Sequence, residues 1–234
     1  MYGNILPTPL ISYAARELDT PYAVSLTASH NPADEAGFKI FQGPRKIDCG
    51  LESELHQLYR QHAGNENSCF PGILDPRSSE VDEVVSGYFD ILESLVDTST
   101  MSSFAFDTAN GATAPLLREF INERGYQQLA TIGYIPDGRN INRTGTEHPA
   151  TLQGLVYSEN LPGGFAVDGD GDRLRVVNEK GELVDGNHVL GYRAKKLHEA
   201  SGREESSIVL TEYVNRGIDA VLEGSGITIH RVIN

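Results

Sequence analysis

Apolar positions change their spacing near residue 100 of this chain. Before it, Leu51 to His62 (LESELHQLYRQH) and Val81 to Val96 (VDEVVSGYFDILESLV) place apolar residues three and four apart, which predicts two amphipathic helices. Strand signals are few in this part. Tyr22 to Thr27 (YAVSLT) is clear and Gly37 to Phe41 (GFKIF) is a second run, too little for a stable sheet alone. Between the helices, Ala63 to Ser79 is rich in turn formers and predicts a surface connection.

From Ser102 onward, strand and helix patterns alternate. SFAFD is followed by a helical APLLREFINERG that Gly125 ends, then by the short run QLATIG at Gln128 to Gly133. After the loop Tyr134 to Pro149, ATLQGLVYSEN reads as a helix and GGFAVD, from Gly163, as a buried strand. This βαβαβ order predicts a parallel sheet covered by helices. Arg173 to Asp185 then predicts two short strands across an Asn-Glu-Lys-Gly turn, with a helix near Val189 to Glu199. A further unit begins with a strand at Ser206 to Glu212, a helix at Val214 to Leu222 and a last strand at Gly226 to Val232.

Composition narrows the chemistry. The 234 residues are 39% hydrophobic, enough for a real core. With 33 Asp+Glu against 19 Lys+Arg, the formal net charge of -14 argues against binding nucleic-acid phosphates through bulk attraction. A phosphorylated ligand therefore needs a local cationic site or a metal. The two cysteines, Cys49 and Cys69, lack metal-type spacing and do not suggest a disulfide framework. No run of about 18 apolar residues occurs, so no membrane association and a cytoplasmic location are expected. Asn142-Arg143-Thr144 fits a glycosylation sequon and is read as coincidence.

Two stretches carry candidate chemistry. DGDGDR, Asp168 to Arg173, follows directly on a predicted buried strand. Three carboxylates at alternate positions, with glycines that let the backbone curl, can converge on one hard cation such as Mg²⁺. An apolar strand running into three aspartates is costly unless they are neutralised. A calcium loop of the EF-hand kind would place Glu179 at its twelfth position, but Arg173 stands where that loop needs glycine, and strands flank it where helices are required. TASHNP, Thr27 to Pro32, sets Ser29 at the C-terminal end of a strand, where open α/β sheets carry their chemistry. As a bare turn, the hexapeptide needs only Ser29 and Asn31 satisfying backbone groups. It is no hydrolase triad: there is no G-x-S-x-G, and neighbours on an extended chain point opposite ways. Lys39 brings a cation ten positions on, if the loop folds back over Ser29.

TASHNPADEAGFKIF, DTANGA from Asp107, PDGRNIN from Pro136, GTEHP from Gly145 and VDGDGDRLRVV occur in an order and spacing that resemble the α-D-phosphohexomutase superfamily. The Asn-Ile-Asn and Gly-Thr-Glu-His-Pro segments look more like its bacterial phosphoglucosamine mutase branch than its phosphomannomutase/phosphoglucomutase branch. The resemblance runs from about Gly3 to the C-terminus. It implies an α/β fold of consecutive phosphohexomutase-type domains with mixed and parallel sheets. The expected division is 1–98 for the C-terminal part of domain 1 with the phosphoserine loop, 99–200 for domain 2 with the metal loop, and 201–234 for the start of domain 3. The first and third domains are then incomplete, with room for self-association through their open faces.

By position, the resemblance makes Ser29 the phosphoserine that gives a phosphoryl group to a sugar and takes one back. Asp168, Asp170 and Asp172 become Mg²⁺ ligands, with the Ser29 phosphate completing the site. His30, Lys39 and Arg173 match polar residues around the transferring phosphoryl, as proton handler or charge stabilisers, with His30 and Lys39 equal candidates for the proton. The implied activity is that of an isomerase interconverting hexosamine 6-phosphate and 1-phosphate, with glucosamine phosphate as substrate. Mannose or glucose phosphate is the runner-up, and a metal-dependent phosphosugar- or partner-binding module the alternative in another class. The stretch stops before the family's Glu-containing sugar-recognition loop and its Arg-x-Ser-Gly-Thr phosphate clamp. In VDGNHV, Asn187 stands where the mutase branch commonly has aspartate, a change expected to touch a strand-to-helix turn rather than chemistry.

Overall fold

In the computed structural model the described residues are 5–27, 29–35, 37–62, 79–95, 101, 103–126 and 130–233. The turn-rich connection expected at 63–79 lies, up to residue 78, outside them.

Helix α1 (Thr8–Glu17) leads into β1 (Tyr22–Leu26), β2 (Phe38–Gln42) and β3 (Arg45–Lys46), a three-stranded antiparallel sheet in the order β1-β2-β3. The pairing sets Ser25 opposite Lys39 and Leu26 opposite Phe38. Alternation along β1 buries Ser25 and leaves Tyr22, Val24 and Leu26 exposed, and β1 is an edge of this sheet. Helices α2 (Cys49–His62) and α3 (Ser79–Leu95) form where the apolar period predicted them. They differ in burial. α3 buries Val81, Val84, Val85 and Phe89, whereas Leu58 and Tyr59 of α2 stay exposed.

The second sheet joins β4 (Ala105–Asp107), β5 (Ala130–Ile132), β6 (Gly163–Val167), β7 (Leu174–Asn178) and β8 (Leu183–Val184) in the order β5-β4-β6-β7-β8. β4 pairs parallel with β5 and β6, as the βαβαβ pattern requires, and β7 and β8 extend the sheet antiparallel, so it is mixed. Helices α4 (Thr113–Arg124) and α5 (Ala150–Ser158) supply the crossovers. Gly125 ends α4 at φ 68, the left-handed geometry that makes glycine the preferred stop. Helix α6 (Gly186–Ser201) starts three residues earlier than the apolar period suggests, because Asp185 caps it by accepting the Asn187 amide at 2.7 Å. Strands β9 (Ser206–Thr211) and β10 (Ile227–Val232) pair parallel around α7 (Gly217–Leu222).

Three apolar clusters hold these layers. Leu10 of α1 and Val81, Val84, Val85 and Phe89 of α3 pack with Leu116 and Phe120 of α4, where Phe89 meets Phe120 edge-on at 5.0 Å between ring centroids. Each such side chain contributes roughly 1.5–3 kcal/mol when fully buried. This cluster ties the first part of the chain to the helix of the second sheet, so both halves of the site rest on shared packing. Ala105, Leu152, Val156, Ala166 and Val177 form the core beneath α5, and Leu210, Ile218 and Leu222 the core of the last unit.

Candidate metal and serine site

Ser29 and the three aspartates lie on loops leaving the C-terminal ends of strands. Buried β6 runs out at Val167 into Asp168, and the chain turns at once: the Gly171 amide donates to the Asp168 carbonyl at 3.0 Å. Oδ1 of Asp168 accepts the amides of Asp172 and Arg173, both at 3.1 Å, which fixes its carboxylate inside its own loop. One oxygen from each of Asp168, Asp170 and Asp172 then lies within 4.8 Å of the others.

The serine loop folds onto this cluster. β1 ends at Leu26, and Ser29 sits beyond it at φ 54, so it is not in the extended conformation assumed for TASHNP. Its amide donates to Thr27 Oγ1 at 2.8 Å, and its hydroxyl donates to Asp168 Oδ2 at 3.1 Å across 139 positions of sequence. Lys39, carried by β2, donates to Asp170 and, at 2.6 Å, to Asp172. Lys46 of β3 stands 3.8 Å from Asp172. Arg173 places Nη1 3.1 Å from Glu147 and Nε 3.9 Å from Asp168 Oδ2, with its side chain half-exposed. Nδ1 of His30 is buried and has no hydrogen-bond partner among the described residues. Ser29, Lys39, Arg173 and the three aspartates are thus brought together, and His30 adjoins them through Ser29.

Charge is concentrated in this space. Burial favours the neutral form of Lys39, but hydrogen bonds to Asp170 and Asp172 and their charges outweigh it and raise its pKa above 10.5. Burial likewise pushes Asp170 up, yet hydrogen bonds from Lys39 and Thr8 with the Lys39 charge bring it below 3.8. Even so, Asp170 Oδ1 is buried without a hydrogen-bond partner among the described residues. An anionic oxygen in that state, beside two more carboxylates, suits a cation, and an all-oxygen donor set suits a hard one.

Some residues that shape the site escape sequence reasoning as individuals. Thr8, at the start of α1, donates from Oγ1 to Asp170 Oδ2 at 2.6 Å and from its amide to the Asp170 carbonyl at 2.8 Å. Nothing near Thr8 in the sequence signals that. Asp107 ends buried β4, and its carboxylate accepts the Ala109 amide at 3.0 Å, the Thr144 hydroxyl at 2.7 Å and the Gly145 amide at 2.8 Å. A carboxylate at the end of an apolar strand was the reasoning applied to Asp168, and it would have found Asp107 too. Asn142 reaches Ser29, Asn31 and Gly169 together. Gly111 lets the DTANGA turn lie against the aspartate loop: a Cβ there would stand 2.1 Å from the Gly169 carbonyl oxygen. No helix among the described residues is long and apolar enough to cross a membrane.

The chain is similar to several known proteins. A family model described as phosphoglucomutase/phosphomannomutase, alpha/beta/alpha domain I, matches residues 1–63. Phosphoglucosamine mutase of Thermobifida fusca (strain YX) is 32% identical over 229 residues, covering 97% of this chain and 50% of that protein. The crystal structure of a putative phosphomannomutase from Thermus thermophilus matches with a TM-score of 0.77 at 24% identity, over 97% of this chain and 52% of that one. Aspergillus fumigatus N-acetylphosphoglucosamine mutase, solved in complex with GlcNAc-6P and magnesium, shares the fold at a TM-score of 0.56 and 14% identity, over 96% of this chain and 59% of that one. The chain spans about half the length of the curated relatives it matches. Over nearly its whole length it is similar to phosphoglucosamine mutases, and its fold is that of solved phosphohexomutases.

Proposed function

We propose that this chain carries the phosphoserine and metal half of a phosphosugar mutase site, acting on hexosamine phosphate with glucosamine phosphate as the first candidate. The observation that carries this reading is the 3.1 Å contact between the Ser29 hydroxyl and Asp168, inside a triad whose Asp170 keeps a buried, unpartnered oxygen. The units 1–98, 99–200 and 201–234 are read as parts of three successive domains, and the cytoplasm, where sugar phosphates are handled, as the setting. Likeness to phosphoglucosamine mutases supports the sugar class.

Asp168, Asp170 and Asp172 would hold the metal, and the magnesium complex of the Aspergillus relative supports Mg²⁺ as its identity. Bound there, Mg²⁺ supplies charge that offsets the phosphate and the negative charge spread over its oxygens during transfer. In the reaction the Oγ–P bond of phosphorylated Ser29 breaks as a P–O bond forms to the sugar hydroxyl. The hydroxyl proton passes to a base, and in the return step the other phosphoryl of the resulting bisphosphate passes to the Ser29 hydroxyl oxygen while a proton is given back to the sugar oxygen it leaves. Lys39, held as an ammonium by two aspartates, suits charge stabilisation. His30 Nδ1 has no partner to tie it up, which suits the base. Arg173, half-exposed at the rim beside Asp168, suits capture of a phosphate oxygen.

The test is intact-mass spectrometry of the 234-residue chain after incubation with Mg²⁺ and a hexosamine 1,6-bisphosphate, followed by a coupled mutase assay with glucosamine, mannose and glucose phosphates. The expected result is a gain of one phosphoryl group that Ser29→Ala abolishes. A chain that never takes up phosphate, or takes it up equally without Ser29, overturns the proposal.

A further inference from the structure

The PDGRNIN loop has no part in the reaction just described, yet its last residue joins the two loops that do. Asn142 lies between β5 and α5 and is 7% exposed. Its Nδ2 donates to the Ser29 carbonyl at 2.7 Å and to the Asn31 carbonyl at 2.8 Å, while its Oδ1 accepts the Gly169 amide at 2.8 Å. A side-chain amide has two N–H groups and one carbonyl oxygen. Here both donors go to the serine loop and the acceptor goes to the aspartate loop. The backbone amide of Asn142 is itself tied to the Ala109 carbonyl at 2.9 Å, so the side chain projects from a fixed point.

Two backbone details give this contact a purpose. Asn142 has φ 60, a left-handed geometry that asparagine tolerates better than most residues. Ser29 has φ 54, where serine is uncommon, and such a conformation persists only when its surroundings hold it. Among the holds on the described part of the serine loop are the Thr27 hydroxyl beneath the Ser29 amide and the Asn142 amide on the carbonyls of Ser29 and Asn31. All three bonds made by the Asn142 side chain end on main-chain atoms, so they set where the loops lie without touching the reacting oxygen.

We propose that Asn142 is a positioning residue, a clasp whose side chain sets the distance between the Ser29 hydroxyl and the acidic triad by gripping one loop with its N–H groups and the other with its carbonyl oxygen. The geometric part of this inference stands on the hydrogen bonds alone. Its consequence for phosphoryl transfer rests on the function proposed above.

Asn142→Asp separates the two grips. Aspartate keeps an acceptor for the Gly169 amide, has no N–H to offer, and sets a carboxylate against the carbonyls of Ser29 and Asn31. Asn142→Gly removes both grips while accepting the positive φ. Hydrogen exchange on the full chain is followed in peptides spanning 27–35 and 166–175. Asn142→Asp is expected to speed exchange in the first and leave the second unchanged, and Asn142→Gly to speed both. Phosphoryl loading of Ser29 from a hexosamine 1,6-bisphosphate is expected to slow in Asn142→Asp by on the order of tenfold or more, with Ser29 displaced, while thermal stabilisation by Mg²⁺ persists. A merely structural residue would change both peptides and the Mg²⁺ response together. Equal change in the two peptides with Asn142→Asp, or none at 27–35 in either variant, overturns the clasp. If Asn142→Asp does not fold, the Asn142→Gly peptides decide. A wild-type chain that shows the exchange pattern but takes up no phosphoryl group removes the mutase reading and leaves the clasp standing.

Discussion

Lys39 and Asp170 are ion-paired across 131 positions of sequence, and the same ammonium reaches Asp172 at 2.6 Å. Opposite shifts accompany the pair: Asp170 below 3.8 and Lys39 above 10.5. A carboxyl with a depressed folded-state pKa contributes stability above its unfolded value, lost as pH falls through the folded one. An amine with a raised value contributes stability below its unfolded pKa, lost as pH rises through the folded one. The contribution of this pair to the urea midpoint of the metal-free chain should therefore be flat between these limits and be lost in acid below 3.8 and in alkali above 10.5. In Lys39→Met, burial acts on Asp170 without its counter-charge and raises its pKa. The hydrogen bonds from Thr8 and Ser29 remain, so the variant should lose less stability in acid than the wild type does. A midpoint profile unchanged by the substitution would show that the pair contributes nothing.

Lys39 also competes with any cation for the same oxygens. Titrating Mg²⁺ into chelator-treated protein should raise the melting temperature, with about 2.7 kcal/mol of stabilisation when the metal is a hundredfold above its dissociation constant. Asp170→Asn should weaken that response, and Lys39→Met should shift it to lower metal concentration. Isothermal titration that finds equal affinity in all three proteins would remove the triad from metal binding.

Asp107 satisfies three donors from a buried position. Asp107→Ala leaves two backbone amides and a hydroxyl without their acceptor, at roughly 1–3 kcal/mol for each group stranded away from water. A loss of about 3 kcal/mol in the denaturant-extrapolated stability is expected, with Asp107→Asn milder because it keeps one acceptor oxygen.

Gly111→Ala drives a methyl group into the main chain of the aspartate loop, since the nearest atom, the Gly169 carbonyl oxygen, lies 2.1 Å from the new Cβ. Overpacking of this kind costs about 1–3 kcal/mol. Here the backbone that must yield carries Asp168 and Asp170, so Mg²⁺ affinity should fall with stability. A variant that loses stability and keeps its metal affinity would show that the loop absorbs the shift elsewhere.

Phe89 is fully buried against Phe120 in the cluster shared by α1, α3 and α4. Phe89→Ala should cost about 3–5 kcal/mol. Because the cluster spans both parts of the chain, unfolding followed by signals from each part should lose stability together.

Local pattern announced much of this architecture. Helices α2 and α3, the strand–helix alternation from Ser102 and the stop at Gly125 follow from period and turn chemistry, which act over a few residues. The two-residue strands β3 and β8 differ in legibility. The Asn-Glu-Lys-Gly turn signals the β7–β8 pair, while nothing about Arg45 and Lys46 signals pairing, which Gly43 and its turn impose. The convergence of Ser29 on Asp168 follows from no local rule and entered the sequence reading only through resemblance. Thr8 and Asn142 were illegible because their work is done on backbone atoms and on a carboxylate far away in sequence, and neither residue type is unusual where it stands.

Anchoring through main-chain atoms leaves the reactive side chains exchangeable. The carbonyls of Ser29 and Asn31 and the amide of Gly169 keep their partner whatever group occupies the Ser29 side chain. The two loops thus make a socket independent of its plug: a thiol or a carboxylate installed in place of the hydroxyl would face the same acidic wall, which opens the scaffold to redesign toward other group transfers.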